Sequence, residues 1–586
     1  MNYDLNQLSK TAPKTSTWAG LGKLIRLISH ERRILIMALI AILINSSLNL
    51  LGPLIIGRTI DKYIQHKDFA GVIHNGILLL CMYAVALFTS YKQTTLMGGV
   101  GQRMLFTLRN SIFNKLQQLP VGFFNQNKAG DLISRVNNDT DKLNQFFSQS
   151  LMQFISNISI MIGAGIFLLV INPELGAAAL SPALIILALT LILSPWIKRK
   201  NAASLKSTGG LSGEIQESLN NFKVIIAFNR RDYFRKRFGI ANTANYNAAI
   251  GAGLASTVFI PVYGFFASMG QLIVLSFGIY LIGKGLFTIG ILVSYLSYAT
   301  NFYNPLRQLA ALWTNFQLAM AGWDRISQIL SLESDLPQIV AGITEPNATL
   351  LEFRNVHFSY DESKEILHNI NFKLEQGKTY ALVGPTGGGK TTTASLIARL
   401  YDPSKGLVLL DGKDIRTYTA EERSLKIGFI LQEPFLFSGT VKDNILYSND
   451  MYREHTNEQL EKVITDANLG SLLAIFENGL ETPVLSSGDS ISLGQKQLIA
   501  FMRAVLRNPQ LLILDEATAN IDTITEKLLS DILNKLPETT TRVIIAHRLN
   551  TIENADEIFF VNSGEVIRAG GLNEAIDMLL HGKRVS

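Results

Sequence analysis

Residues 384 to 391 read Gly-Pro-Thr-Gly-Gly-Gly-Lys-Thr, after an apolar run from Tyr380 to Val383 and before a helical stretch. That is the setting in which a glycine-rich loop grips phosphate. Gly384, Gly387, Gly388 and Gly389, with Pro385 and Thr386 among them, let backbone N–H groups wrap an anion. Lys390 can reach the β and γ phosphates of a nucleotide, and Thr391, beside Thr392, offers a hydroxyl to Mg²⁺. The four fixed positions would arise by chance in roughly one chain in fifty of this length, so the loop alone does not settle the chemistry. A second run does. Leu511 to Leu514 has the pattern of a buried strand and ends in Asp515 and Glu516. One carboxylate is placed to bind Mg²⁺ through water and the next to polarise the attacking water.

Ahead of Asp515, Ile491-Ser492-Leu493-Gly494-Gln495 resembles the signature motif of ATP-binding-cassette proteins, which few other phosphate-loop enzymes carry. The remaining motifs follow in order: Tyr360 in VHFSY resembles the aromatic A-loop, and Gln432 in LQEPFLFSGT the Q-loop. Ala519 to Asp522 resembles the D-loop, and His547 in IIAHRLNT the switch histidine. Singly, Tyr360 reads as a core or edge aromatic and His547 as a satisfied strand-end histidine; the ordered set reverses both readings. The resemblance implies that Tyr360 stacks on adenine, that Gln432 senses Mg²⁺ and the water, and that His547 bonds the γ-phosphate as the site closes. It also implies that Ser492 and Gly494, with Gln495, contact ATP held by the phosphate loop of another ATPase domain, presenting a helix N-terminus to it. The chain has a single phosphate loop, so function implies a dimer with two ATP molecules between subunits.

These motifs occupy only the later part of 586 residues, of which 47% are hydrophobic, with a mean hydropathy of +0.22. A membrane protein is indicated. Stretches free of Asp, Glu, Lys and Arg run over 34–57, 70–91, 143–173, 175–197, 238–283 and 285–306, each long enough to cross a bilayer core. Six spans are expected, with the polar piece Asn242 to Asn247 as cytosolic helix ahead of the fifth. Basic residues crowd the loops between spans two and three and between spans four and five, while only Arg58, Lys62, Lys67 and Lys284 lie on the other side. Both long loops and both termini are therefore expected in the cytosol. That distribution explains the net charge of +6 without a nucleic-acid partner. Leu21, Leu24, Ile25 and Ile28 recur at helical spacing and suit an interfacial helix or an extension of span one. No secretory signal is read in the first thirty residues, and one cysteine, Cys81, excludes an intrachain disulfide.

The expected architecture is an all-α six-helix transmembrane domain plus an α/β P-loop nucleotide-binding domain. Its parts are a tail over 1–20, a membrane domain over 21–325, a linker over 326–348 and the ATPase domain over 349–586. This layout resembles exporters of the multidrug and lipid-flipping type. Leu119 to Phe124, with Gly130 to Arg135 and Asn138-Asp139, resembles the first coupling-helix region, and Glu217 to Phe228 the second. Leu493 replaces the usual central glycine of the signature, and Ser486 to Asp489 stands where many homodimeric exporters carry a glutamate-bearing loop. With Glu516 and His547 intact, this resembles the catalytically intact subunit of heterodimeric bacterial exporters, and a heterodimer is favoured over a homodimer. An ATP-gated channel on the same scaffold is the competing reading. A soluble DNA-repair cassette ATPase is excluded by the spans, and a peptidase-bearing exporter is not expected, since residues 1 to 33 cannot hold a protease domain. The substrate is expected to be amphiphilic or hydrophobic, a drug, lipid or peptide, and the location a multi-pass site in the bacterial cytoplasmic membrane.

Overall fold

The computed structural model describes residues 3–5, 22, 31–334, 336–340, 342–345, 349–361, 364–485, 491–515, 523–545, 553–570 and 572–581. They fall into two compact units, one drawn from Thr11–Leu116 and Gly130–Ser331, the other from Met1–Lys10, Gln117–Ala129 and Leu332–Ser586.

The first unit is helical. Its long helices are α1 (Arg32–Thr59), α2 (Phe69–Gln118), α4 (Leu151–Ile171), α5 (Pro173–Asn220), α6 (Arg231–Thr257), α7 (Phe259–Gly283) and α8 (Ile289–Ser331); the short α3 (Val121–Gln126), between α2 and α4 in sequence, belongs to the second unit. Among the described residues, five stretches are long and apolar enough to cross a membrane: Arg32–Ile64, Phe69–Gln118, Ala129–Ile171, Pro173–Asn220 and Arg231–Gly283. Their outward side chains, among them Ile36, Leu80, Leu87, Leu184 and Leu191, are large, apolar and exposed, which suits a lipid solvent. The long charge-free run over 238–283 divides at Val258: Asn242 to Asn247 sits in α6, and the apolar α7 follows.

The sixth expected span, 285–306, falls largely in α8, which is 43 residues long and is not among those five stretches. Its buried tyrosines find acceptors on neighbouring helices. Tyr298 Oη donates to the Leu50 carbonyl at 2.7 Å, Tyr303 Oη to that of Ala179 at 2.7 Å, and Tyr295 Oη to those of Leu168 and Asn172. Hydroxyls satisfied in this way can sit inside a bundle without facing lipid. At one end of α8, glycines bring it against α1: a Cβ on Gly57 would stand 2.0 Å from Ser294 Oγ, and one on Gly290 would stand 2.0 Å from the Gly57 carbonyl. Asp61 completes that contact, accepting from Gly290 N at 2.8 Å and Thr288 Oγ1 at 2.5 Å. At the other end α8 runs past Arg325 to Ser331, because Ile326 and Ile329 are fully buried. There Arg135, only 2% exposed, donates to Asp131, to the Arg325 carbonyl and to Gln328, and Arg325 pairs with Asp131 and Asp139. The expected interfacial helix over Leu21 to Ile28 lies outside the described residues apart from Gly22.

The second unit is α/β. Strands β1 (Thr349–Phe358), β2 (Leu367–Glu375), β4 (Lys405–Leu410) and β5 (Lys413–Asp414) form an antiparallel sheet in the order β2-β1-β4-β5. A six-stranded sheet, β12-β11-β3-β10-β9-β6, joins β3 (Thr379–Val383), β6 (Ile427–Ile430), β9 (Leu511–Asp515), β10 (Thr541–Ile545), β11 (Glu557–Asn562) and β12 (Glu565–Arg568). It is parallel except for β12. A two-stranded piece pairs β7 (Gly439–Thr440) with β8 (Pro483–Val484). Both faces of the six-stranded sheet are covered, so β3 and β9 are buried at every position and read as continuous apolar runs. Alternate residues serve the two faces. Tyr380, Leu382, Leu511 and Ile513 pack with the antiparallel sheet, while Ala381, Val383, Leu512 and Leu514 pack with α11 (Leu493–Val505), α12 (Thr523–Asn534) and α13 (Leu572–His581). Helix α9 (Lys390–Ile397) follows β3, and α10 (Asn457–Asp466) lies between β7 and β8 in sequence.

Candidate nucleotide site

In a parallel sheet, ligands collect beyond the carboxyl ends of the strands. β3 and β9 are the two neighbours of β10, so the segments leaving them meet over one edge. The loop from β3 to α9 turns on three glycines with positive φ: Gly384 at 145°, Gly387 at 81° and Gly389 at 114°. Gly384 also passes so close to β11 that a Cβ would stand 2.0 Å from the Val561 carbonyl. Only glycine fits there, and the close passage lets the loop present its amides at the N-terminus of α9.

Lys390 opens α9, is 5% exposed, and folds back so that Nζ donates to the carbonyls of Gly384 at 2.8 Å and Pro385 at 3.0 Å. Its ammonium is thus held over the loop. Thr391 Oγ1 lies 3.4 Å from Asp515 Oδ1 at the end of β9, which joins the two expected oxygen ligands. Tyr360 is half-exposed beyond β1, with its hydroxyl 3.0 Å from Thr392 Oγ1 and its ring edge-on to Phe358 and to Tyr401 at 5.1 Å. One face of an aromatic ring therefore stands beside the phosphate loop. Gln432 is exposed just past β6, whose Ile430 pairs with Leu514 beside Asp515. Glu516 follows Asp515 directly and His547 follows Ile545, the partner of Asp515 in β10; both lie outside the described residues, as do Ala519 to Asp522 and Ser486 to Asp489.

The signature stands apart. Ser492 caps α11 in a reciprocal box, with Gln495 N donating to Ser492 Oγ at 3.1 Å and Ser492 N to Gln495 Oε1 at 3.0 Å. Each of those side chains accepts from the other residue's backbone amide, and among the described residues neither bonds the phosphate loop; Ser492 and Leu493 are exposed, with Gly494 half-buried behind them. Arg503, farther along α11, ties the helix to the segment after Gln432, donating to Asn444 at 2.8 and 3.0 Å and to the Phe435 carbonyl at 3.2 Å. Burial holds its guanidinium below the usual pKa.

Sequence reasoning did not single out Tyr401, which packs on Tyr360 and accepts from Asn125 Nδ2 at 2.7 Å. The signal available was slight: an Asp402-Pro403 turn after α9, with Asp402 paired to the buried Arg399.

Comparison with known proteins accords with this arrangement. The family model for the ABC transporter transmembrane region matches residues 35–306, and one described as ABC transporter matches residues 367–519. An uncharacterised ABC transporter ATP-binding protein of Bacillus subtilis, YfiC, is 34% identical over 97% of this chain and 94% of its own length. A fatty acid ABC transporter ATP-binding/permease protein of Mycobacterium bovis is 32% identical over 87% of this chain and 80% of its own. A probable multidrug resistance ABC transporter ATP-binding/permease protein of Bacillus subtilis, YheH, is 29% identical over 85% and 74%. With the apolar helices and the ATPase unit on one polypeptide, the chain belongs to the ABC exporters: it is a multi-pass membrane half-transporter whose ATP-binding unit is an ATPase coupled to transport.

Proposed function

We propose that the chain exports an amphiphilic or hydrophobic molecule, a drug, lipid or peptide, across a bacterial cytoplasmic membrane by alternating access, as one half of a dimer. The observation that carries this is the juxtaposition of the β3–α9 loop with Asp515 in a sheet whose chain also supplies apolar helices. The relatives' names, one for fatty acids and one for multidrug resistance, support a substrate with a large apolar part.

In the proposed reaction the loop 384–389 wraps the triphosphate, and Lys390 exchanges its two carbonyl acceptors for β and γ oxygens, replacing neutral acceptors by charged ones. Tyr360 stacks on adenine while Thr392 holds its hydroxyl. Thr391, Asp515 and Gln432 offer the hard oxygen set that suits Mg²⁺, with Asp515 acting through water. Bound there, the metal would neutralise charge on the β and γ oxygens. Glu516 takes a proton from the attacking water as its oxygen bonds to the γ-phosphorus; the bond to the bridging oxygen breaks, leaving ADP and phosphate. His547 bonds the γ-phosphate. The partner's signature closes this site, and Ser492, Gly494 and Gln495 face the partner's ATP in turn.

Two features support a heterodimer. Leu493 sits at the first turn of α11 with its side chain exposed, where the signature glycine would leave room for phosphate. Glu516 is retained, so the chain's own phosphate loop keeps its base. Under the competing reading, nucleotide binding gates a pore and hydrolysis only resets it.

The test is the ATPase rate of the chain purified alone, beside Glu516→Gln, for which a loss of roughly 10²–10⁴-fold is expected wherever the site turns over. Robust turnover that the variant removes would establish a competent homodimer and overturn the heterodimer. Folded, ATP-binding protein without turnover supports a missing subunit; if no added partner restores turnover, the channel reading stands instead.

A further inference from the structure

Residues 3 to 5 are not a loose appendage. Tyr3 is 1% exposed and Leu5 fully buried, within the same compact unit as the α3 segment and the ATPase strands. Three hydrogen bonds give the contact the character of a short strand pairing. Tyr3 N donates to Gln126 Oε1 at 2.6 Å, Leu5 N donates to Asn127 Oδ1 at 3.1 Å, and Asn127 Nδ2 donates to the Tyr3 carbonyl at 2.9 Å. Asn127, itself buried, uses its side-chain amide as if it were a peptide group, and also donates to the Phe123 carbonyl inside α3. The Tyr3 ring meets the fully buried Phe123 edge-on at 6.2 Å, and the Tyr3 hydroxyl reaches the Glu333 carbonyl at 3.2 Å. The strap therefore fastens α3 to the segment leading into β1.

Another side of α3 faces the nucleotide site. Asn125 Nδ2 donates to Tyr401 Oη at 2.7 Å, and a Cβ on Gly122 would stand 3.3 Å from the Tyr401 ring, which packs edge-on against Tyr360. A cavity of about 220 Å³ separates the two grips, lined in part by Tyr3, Gln126, Tyr360 and Tyr401. α3 thus lies between the strap and the aromatic pair, and is continuous in sequence with α2. A short helix of six residues has little stability of its own. Its position is set by what holds it.

We infer that Tyr3 and Leu5 are positioning residues for coupling: they hold α3 against Tyr401, so that occupation of the base site at Tyr360 is felt by the segment that leads to the membrane helices. The inference rests on the reading of the chain as an ATP-driven transporter. Without the strap, α3 loses the support that presses it on Tyr401, while Tyr360 and the phosphate loop are untouched, so nucleotide binding survives and its effect on α3 does not.

The experiment uses the full-length protein in lipid nanodiscs, with Glu516→Gln to retain nucleotide, and follows amide hydrogen exchange of residues 117–129. The probes are ATP with Mg²⁺, and inorganic triphosphate with Mg²⁺, which lacks the base. In the parent, ATP is expected to slow exchange of this segment at least fivefold and triphosphate much less. Tyr3→Ala/Leu5→Ala should abolish the ATP effect while the Kd for ATP moves less than threefold, and Tyr3→Phe, which keeps the ring, should retain it. Persistence of the ATP effect in the double variant overturns the proposal. So does loss of ATP binding itself, which would place the strap in the nucleotide site. Should the double variant not fold, the same comparison is read on Gln126→Ala, which removes only the acceptor of the Tyr3 amide. Failure of the parent to bind ATP would instead strike the reading on which the inference rests.

Discussion

Two short helices of six residues each, Val121–Gln126 and Phe222–Ala227, sit where long helices turn back, and they differ in what surrounds them. The first has Phe123 fully buried, Asn125 bonded to Tyr401 and Asn127 bonded to the strap. The second has Ile225 buried but Phe222, Val224 and Ile226 exposed, with Leu219 and Phe228 beside it exposed at 69% and 74%. Its own hairpin is firm: Arg237 bridges to Glu214 at 2.6 Å and to Glu217 at 3.2 Å. So the segment is held in shape and left uncovered. Exposed apolar side chains at Leu219, Phe222, Val224, Ile226 and Phe228 suit a contact surface, and if the dimer proposed above forms, its second ATPase unit is one candidate to receive it.

Substitution separates the two. Phe123→Ala removes a fully buried ring and should cost about 3–5 kcal/mol, seen as a clear fall in the Tm of the purified chain, whereas Phe222→Ala should stay within about 0.5 kcal/mol. Equal losses would erase the contrast. Next in size, Phe222→Asp/Phe228→Asp should leave the Tm of the lone chain unchanged but weaken assembly of the transporter and its ATPase by roughly tenfold or more, as expected when charge enters a desolvated contact. Undiminished assembly would show that the patch is not an interface. A smaller effect is expected for Asn125→Ala, about 1 kcal/mol for one lost hydrogen bond, read as faster exchange confined to residues 117–129. The smallest concerns neither segment. The hydrogen bond from Arg354, helped by Lys373, draws the Glu352 carboxylate from the usual 4.5 down to about 2. Protons then bind the unfolded chain more readily between those values. The resulting stability is complete above pH 4.5 and is lost as pH falls towards 2; Glu352→Gln should flatten that slope without altering either short helix.

The phosphate loop, the buried strand ending in Asp515 and the capped signature helix were legible because each ties a residue type to a local backbone need: glycine at positive φ, apolar runs in a doubly covered sheet, a serine before a helix. Five apolar stretches of membrane length were legible from the absence of charge; the sixth charge-free run falls in α8, whose tyrosines and asparagines leave it outside that set. Where 238–283 divides was less plain, since nothing charged marks Val258. The Tyr3–Gln126 and Asn125–Tyr401 contacts were not legible at all. They join residues 123 and 276 positions apart through common side chains that carry no period and no motif.

The three tyrosines of α8 bear on how that bundle can rearrange. Their hydroxyls are lent to carbonyls on α1, α4 and α5, so one helix is fastened to three neighbours at once. Sliding α8 by a fraction of a turn would strand all three hydroxyls in an apolar interior, each at a cost of about 1–3 kcal/mol. Small excursions are therefore disfavoured together rather than one by one. Displacement of α8 is a single cooperative step between arrangements in which every hydroxyl has an acceptor, and the membrane unit behaves as a latch with discrete settings rather than a spring.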